Sequence, residues 1–429
     1  MITTRSLEDR VQDPHHTLLD VRPIAAYNGW RLAGEPRGGH IPGARALPLE
    51  WTRFMDWVEV VEDKGLEPGR PVTVYGYTAE EGREMAGHLG RLGFEDVAVY
   101  GELVEEWLPD PDRPLTRLER CGALVHPAWL EAVTQGQTPA EHPPEGTPVL
   151  CHVHFGNPED YAAGHIPGAI SLDTNRLEEP EMWNRRTPEE LSRTLPELGI
   201  HRESTVVVYG RHSHPTYEQQ APGQSAGHLA AMRAAAILLW AGVRDVRVLN
   251  GGIHAWEAAG GLLSTEPAGP TPVAEFGGPI PGRPGLMIDV PHAKDLLASP
   301  SGALVSVRSW SEFIGERSGY HYIEKKGRIP GAIFGNCGSD AYHMENYRNF
   351  DYTTREFGET AAMWAQAGVV PEREVAFYCG TGWRGSEAFM NAWLMGWPRI
   401  AVFDGGWYEW SSDPDNATET GSTTLAPAS

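Results

Sequence analysis

The sequence predicts an α/β fold built as three tandem copies of one unit, and three observations carry that prediction. A short phrase recurs as Gly39-His-Ile-Pro-Gly-Ala44, Gly164-His-Ile-Pro-Gly-Ala169 and Gly327-Arg-Ile-Pro-Gly-Ala332. Apolar runs of strand length alternate with helix-like stretches around each copy, the pattern of a mostly parallel sheet covered by helices on both faces. The length, 429 residues, is about three times a typical domain.

The elements follow in order. Ahead of each phrase lies an apolar run that reads as a buried strand: Leu18–Arg22, Val149–His154 and Ala303–Arg308. The first copy continues with a run at Val72–Tyr75, a helical stretch from Gly82 to Leu92 and a run at Val97–Tyr100. The third copy continues with Val375–Tyr378, a helix beginning near Ser386 and running to Met395, and Ile400–Phe403. The distance from Gly76 to Gly93 equals that from Cys379 to Gly396, so these two copies align without a gap. The middle copy has runs at Val206–Tyr209 and Val246–Leu249, with a polar insertion between Arg211 and Gly227.

Clusters of proline and glycine mark the joints at Leu108–Pro114 and Pro267–Pro284. The expected modules are 1–115, 116–266 and 283–412. A flexible Thr/Ser/Ala/Pro-rich tail is expected at 413–429.

Composition excludes several classes of function. With 35 basic and 58 acidic residues the net charge is −23, which opposes nonspecific binding to nucleic acid or anionic lipid. No apolar stretch has membrane-spanning length, and Met1–Arg10 contains no apolar signal core. A cytoplasmic protein is expected, or a periplasmic one if a leader has been removed. Four cysteines without CxxC spacing make neither a disulfide framework nor a zinc site. Cys121, Cys151 and Cys337 read as small buried side chains. Cys379 differs, because it ends a strand and opens a glycine-rich loop, Cys379-Gly-Thr-Gly-Trp-Arg384.

Together, the strand ending Asp-Val-Arg, the Gly-His-Ile-Pro-Gly-Ala phrase, the cysteine loop and a closing Gly-Gly-x-x-x-Trp resemble the rhodanese module of sulfurtransferases. The closing element stands at Gly251–Trp256 and Gly405–Trp410, with a degraded form at Gly101–Trp107. The resemblance covers nearly the whole chain and is nearest to bacterial three-domain sulfurtransferases whose last module alone carries the cysteine. It implies three rhodanese-like modules and a sulfurtransferase that needs no cofactor. Thiosulfate-preferring two-domain relatives place Arg and Lys directly after the cysteine. Gly380 and Thr381 stand there in this chain, a pattern resembling the enzymes that use 3-mercaptopyruvate.

The loop chemistry agrees with that resemblance. A strand ending in Cys379, a tight turn through Gly380 and Gly382, and a following helix aim backbone N–H groups at one spot. Such a nest at a helix N-terminus favours the thiolate, which attacks sulfane sulfur and carries it as a persulfide. Thr381 could bond the persulfide or relay a proton, or simply bond a loop amide. Trp383 reads as a pocket wall. Arg384 could receive an anionic donor or clamp loop carbonyls. Only four residues separate Cys379 from Arg384, against five in related phosphatases, so the cradle suits a sulfur atom better than a phosphoryl group.

Gly76 and Gly210 occupy the cysteine position in the first two copies, which are therefore expected to be inactive. They could serve as scaffold, as walls of a shared cleft or as a docking surface. Arg22 and Arg308 read mainly as structural. His152/His154 and His212/His214 form HxH pairs without further ligands at metal spacing, so no metal is expected. Asp340, His343 and Arg348 in the third copy, and Asp173 in the second, are candidates for the cleft beside the loop.

The expected activity moves sulfane sulfur from a small donor, 3-mercaptopyruvate before thiosulfate, through a Cys379 persulfide to a thiol or cyanide. The alternative is a persulfide carrier delivering sulfur to a partner protein. A phosphatase ranks last.

Overall fold

The computed structural model describes residues 1–212 and 226–421, which form two compact units, Met1–Gly122 and Ala123–Ser429. The expected tail beyond 421 and most of the insertion after Arg211 lie outside the described residues.

In the first unit, β1 (Thr17–Asp20), β2 (Arg45–Ala46), β3 (Val72–Tyr75) and β4 (Val97–Tyr100) form a sheet in the order β2-β1-β3-β4. All its pairings are parallel. The helix Ala79–Arg91 follows β3, and its Thr78 and Glu81 make a reciprocal capping box. The chain just past 115 stays with this sheet, because His40 and Thr116 exchange amide bonds of 2.9 Å.

The second unit holds two five-stranded sheets. One contains β5 (Leu124–Val125), β6 (Val149–His154), β7 (Ile170–Asp173), β8 (Thr205–Tyr209) and β9 (Asp245–Leu249), in the order β5-β9-β8-β6-β7. The other contains β10 (Met287–Ile288), β11 (Gly302–Ser306), β12 (Ile333–Phe334), β13 (Glu374–Tyr378) and β14 (Ile400–Phe403), in the order β10-β14-β13-β11-β12. The two orders correspond strand for strand. In the first unit a parallel bridge between Ile2 and Tyr100 stands where the others have a fifth strand. The other long strands fall where the apolar runs predicted them, but the four-residue β7 was missed because Ile170-Ser-Leu-Asp173 alternates with polar residues instead of running apolar. The two-residue strands were missed as well, since two residues show no periodicity.

The recurring phrase is structural. In the first two copies its histidine stacks on a tyrosine, His40 on Tyr27 and His165 on Tyr161, with ring centroids 3.6 and 3.8 Å apart. The following isoleucine amide donates to the tyrosine that ends the central strand, Ile41 to Tyr75 and Ile166 to Tyr209. In the third copy Arg328 replaces the histidine and lies 4.8 Å over Phe313. Arg22 and Arg308 donate to the carbonyl of the phrase's first glycine, Gly39 at 2.7 Å and Gly327 at 2.6 Å.

Two helices join the modules of the second unit. Gly227–Ala241 is buried along its whole length, apolar except for His228 and the ion-paired Arg233, and it packs against Trp383–Leu394, the helix after Cys379. The segment 413–421, expected to be loose, folds back on the third module. Glu419 pairs backbone to backbone with Arg328, and the buried Asn416 donates to the Trp410 carbonyl at 3.0 Å.

Candidate active site

Cys379 follows β13 directly and is fully buried. The helix begins at Trp383, earlier than the expected Ser386, because Gly382 takes a left-handed φ of +88° and completes the turn as N-cap. Trp383 and Arg384 are thus first-turn residues rather than loop. The Cys379 and Gly380 carbonyls accept from the Trp407 and Tyr408 amides at 2.8 and 2.9 Å. The closing Gly405-Gly406 phrase makes this clasp possible, since a Cβ on Gly406 would stand 2.7 Å from the Cys379 oxygen.

Arg384 is fully buried. Its Nη1 and Nη2 each lie 2.9 Å from a Glu312 oxygen; Nη1 also donates to the Asp340 carbonyl at 3.0 Å and Nη2 to the Tyr320 hydroxyl oxygen at 2.7 Å. Cys337 Sγ is 3.2 Å from Nη1. These bonds tie Arg384 to Glu312, Tyr320 and the Asp340 carbonyl, and not to the carbonyls of its own loop. Burial pushes the Glu312 carboxyl up, but Arg384 and Arg308 outweigh it and hold it at about 2. Burial drives the Tyr320 phenol well above its ordinary value, so it stays protonated. A Cβ on Gly380 would collide with the Tyr320 ring, so only glycine lets the ring approach the loop this closely.

Beside Thr381 lies a half-open cavity. Six aromatic residues wall it, Phe155, Trp183, Tyr320, Tyr322, Tyr342 and Trp383, together with Ala226, Leu229, Ala341 and Thr381. No charged side chain is among these lining residues. Phe155 stands edge-on to both indoles, 6.3 Å from Trp183 and 5.9 Å from Trp383, and Trp183 meets Tyr322 at 4.4 Å. Tyr322 and Thr381 both belong to the third module's share of the pocket. The second module contributes Phe155, Trp183, Ala226 and Leu229, so it supplies one wall of the cleft.

Behind the wall lies a buried charge network. Arg233 Nε lies 2.7 Å from Glu178, and its Nη2 lies 2.6 Å from Asp404 and 3.0 Å from the Trp183 carbonyl. Arg185 pairs with Asp404 at 2.6 Å. Burial raises the Glu178 carboxyl to about 7 against the opposing pull of Arg233.

None of the four expected cleft residues lines the cavity. His343 bonds Asp340 at 2.7 Å, and the neighbouring Ala341 and Tyr342 are the lining residues instead. Arg348 pairs with the buried Glu387 at 2.6 Å. Asp173 accepts the Gly156 and Asn175 amides at 3.0 Å. Tyr320, Tyr322, Phe155 and Trp183 were not singled out from sequence. The closely spaced aromatic and histidine residues at Tyr320-His-Tyr322 were the available signal. Of the HxH residues, His152 is buried beside Tyr161 and Tyr209, His154 bonds Ser171 at 2.7 Å, and His214 lies outside the described residues.

The other two copies close the equivalent spot. A Cβ on Gly210 would collide with the Gly227 carbonyl, and one on Gly76 would stand 2.5 Å from Glu81 Oε2.

Comparison with known proteins agrees with this architecture. The rhodanese-like domain family matches residues 3–110, 151–259 and 289–413. The thiosulfate sulfurtransferase YnjE of Escherichia coli K12 is 39% identical over 419 residues, 96% of this chain and 91% of its own. A probable 3-mercaptopyruvate sulfurtransferase of Pseudomonas aeruginosa is 30% identical, covering 61% of this chain and 86% of its own. Among solved structures, an anaerobic ergothioneine biosynthesis enzyme from Chlorobium limicola, bound to its natural substrate trimethylhistidine, superposes with a TM-score of 0.96 at 49% identity, over 98% of this chain and 99% of that one. A complex of an EanB variant with ergothioneine gives the same TM-score and identity over 99% of both chains. No described helix is long and apolar enough to cross a membrane. Three rhodanese repeats, the cysteine loop of the third and these relatives together establish that the chain belongs to the rhodanese-like family and is a sulfurtransferase.

Proposed function

We propose that the protein takes sulfane sulfur onto Cys379 and delivers it to a ring carbon of an imidazole acceptor that carries a trimethylammonium group, a compound of the trimethylhistidine class. The observation that carries this reading is the six-walled aromatic cavity beside Thr381. Aromatic faces attract a quaternary ammonium by about 0.5–2 kcal/mol each, without requiring a hydrogen bond that such a group cannot make. The solved relatives bound to trimethylhistidine and ergothioneine point the same way.

The chemistry balances in two steps. The Cys379 thiolate attacks the donor's outer sulfur; with thiosulfate, the S–S bond breaks, sulfite leaves and a cysteine persulfide remains. The acceptor's ring carbon then attacks the terminal sulfur. A C–S bond forms, the S–S bond breaks, the ring C–H proton is lost and Cys379 returns as thiolate. Sulfur is reduced as carbon is oxidised. Arg384 donates to the Tyr320 oxygen, leaving the phenol hydrogen free to donate to an acceptor nitrogen. Burial keeps that hydrogen in place at neutral pH. Both 3-mercaptopyruvate and thiosulfate suit the loading step, although among the described residues a dianion meets no charged side chain in the lining.

The test is kcat/KM for sulfur transfer from each donor to trimethylhistidine, histidine and cyanide. Trimethylhistidine is expected to be preferred, with no product from Cys379→Ser. Turnover with cyanide but none with trimethylhistidine would favour the small-thiophile acceptor instead.

A further inference from the structure

We infer that Glu178, in a module without a nucleophile, is a positioning residue that sets acceptor selectivity by holding the two tryptophan walls of the cavity. The inference rests on the acceptor reading above and deepens it.

Glu178 is fully buried. Among the described residues, its carboxylate hydrogen-bonds only Arg233 and Trp383. The Trp383 indole Nε1 donates to both oxygens at 3.1 Å, and Arg233 Nε donates to Oε1 at 2.7 Å. The indole is therefore fixed in rotation by a bond shared between the two oxygens of a buried carboxyl group that Arg233 holds in place. Arg233 carries the hold to the opposite wall, since its Nη2 takes the Trp183 carbonyl at 3.0 Å. Trp183 has a φ of +57°, a conformation an indole-bearing residue adopts only when its surroundings impose it.

The same guanidinium reaches the loop. A Cβ on Gly382 would stand 2.9 Å from Arg233 Nη1. One buried cluster thus touches both indole walls and the turn after Cys379. Glu178 and Asp404 both accept from Arg233, and Asp404 also pairs with Arg185, so one set of buried bonds fixes the geometry behind the cage. Phe155 packs between the two indoles. Their spacing decides whether a trimethylammonium group touches aromatic faces on several sides, whereas a smaller ammonium would leave gaps.

The experiment measures steady-state transfer to trimethylhistidine and to histidine, together with persulfide on Cys379 by intact mass after exposure to thiosulfate. In Glu178→Gln, KM for trimethylhistidine should rise about tenfold or more. Its kcat should stay within about twofold, its preference over histidine should shrink, and persulfide loading should match the wild type. Trp383→Phe keeps an apolar wall and the Glu178–Arg233 pair but removes the N–H donor, so it should show the same shift even if Glu178→Gln fails to fold. In the double variant, KM should equal that of Trp383→Phe alone, because Glu178 acts through the indole. Additive effects, an unchanged KM in Trp383→Phe, or loss of loading in step with KM would overturn the inference. Wild-type protein that loads persulfide but ignores trimethylhistidine would instead overturn the acceptor reading, before any variant is compared.

Discussion

At Arg384 a full positive charge sits out of contact with water, and Glu312 is what keeps it there. Two parallel bonds of 2.9 Å join them, with Ser309 donating to the same carboxylate. Removing one member of such a pair leaves an uncompensated buried charge, at a cost of about 3–5 kcal/mol. Glu312→Gln should therefore lower the urea midpoint markedly and loosen Tyr320, which shares Arg384. The pH dependence has a definite sign. The Glu312 carboxyl is held at about 2, below its ordinary 4.5, so the unfolded chain binds this proton more readily. Its contribution, on the order of 3 kcal/mol, is present above about pH 4.5 and lost as pH falls toward 2. Denaturation curves of wild type and Glu312→Gln should converge across that window; a constant gap would contradict the assignment. His343 titrates with the opposite sign: its bond to Asp340 raises it above 6.5. That bond stabilises below pH about 6.5 and fades as pH rises, by less than about 1 kcal/mol for so exposed a pair.

At the scale of elements, the repeated phrases divide into those that build the module and those that shape the loop. The stacked histidines and strand-ending tyrosines of the first two copies, and the arginine on the phrase's first glycine in the first and third, all tie the phrase to its own module. The closing glycine pair braces the loop from behind, and it does so in the inactive second copy as well, where Ile253 donates to the Gly210 carbonyl at 3.2 Å. Loss of the cysteine there is more than one substitution, since the backbone of Gly227 has moved into the space. Gly210→Cys is accordingly expected to destabilise the protein by about 1–3 kcal/mol through overpacking and to yield no second persulfide. Mass spectrometry after thiosulfate treatment checks this, and a doubly loaded chain would refute it. The early start of the active helix belongs to this scale too: a single left-handed glycine sets it, where the apolar pattern pointed three residues later.

Across the molecule, the cavity exists because the second and third modules share a buried seam. The wholly buried helix Gly227–Ala241, the helix Trp383–Leu394 and the ion pairs of Arg233 and Arg185 with Asp404 all lie on it. Modules joined this way should unfold together. Native-state hydrogen exchange should give β6, β8 and β9 the same opening free energy as β11, β13 and β14; independent opening of one sheet would show the seam to be weak. The amino-acid sequence by itself determined the threefold repeat, the parallel α/β class, most of the long strands and the place of Cys379 at the end of one of them. Each of these depends on patterns local to one copy: an apolar period, a turn phrase, a residue at a strand end. Only the tertiary structure decided what surrounds that cysteine. Trp383 and the Glu178 that orients it are 205 positions apart, and Phe155 and Trp183 come from a different module than Tyr320 and Tyr322. No spacing rule links such positions, because their proximity follows from how two folded surfaces bury against each other.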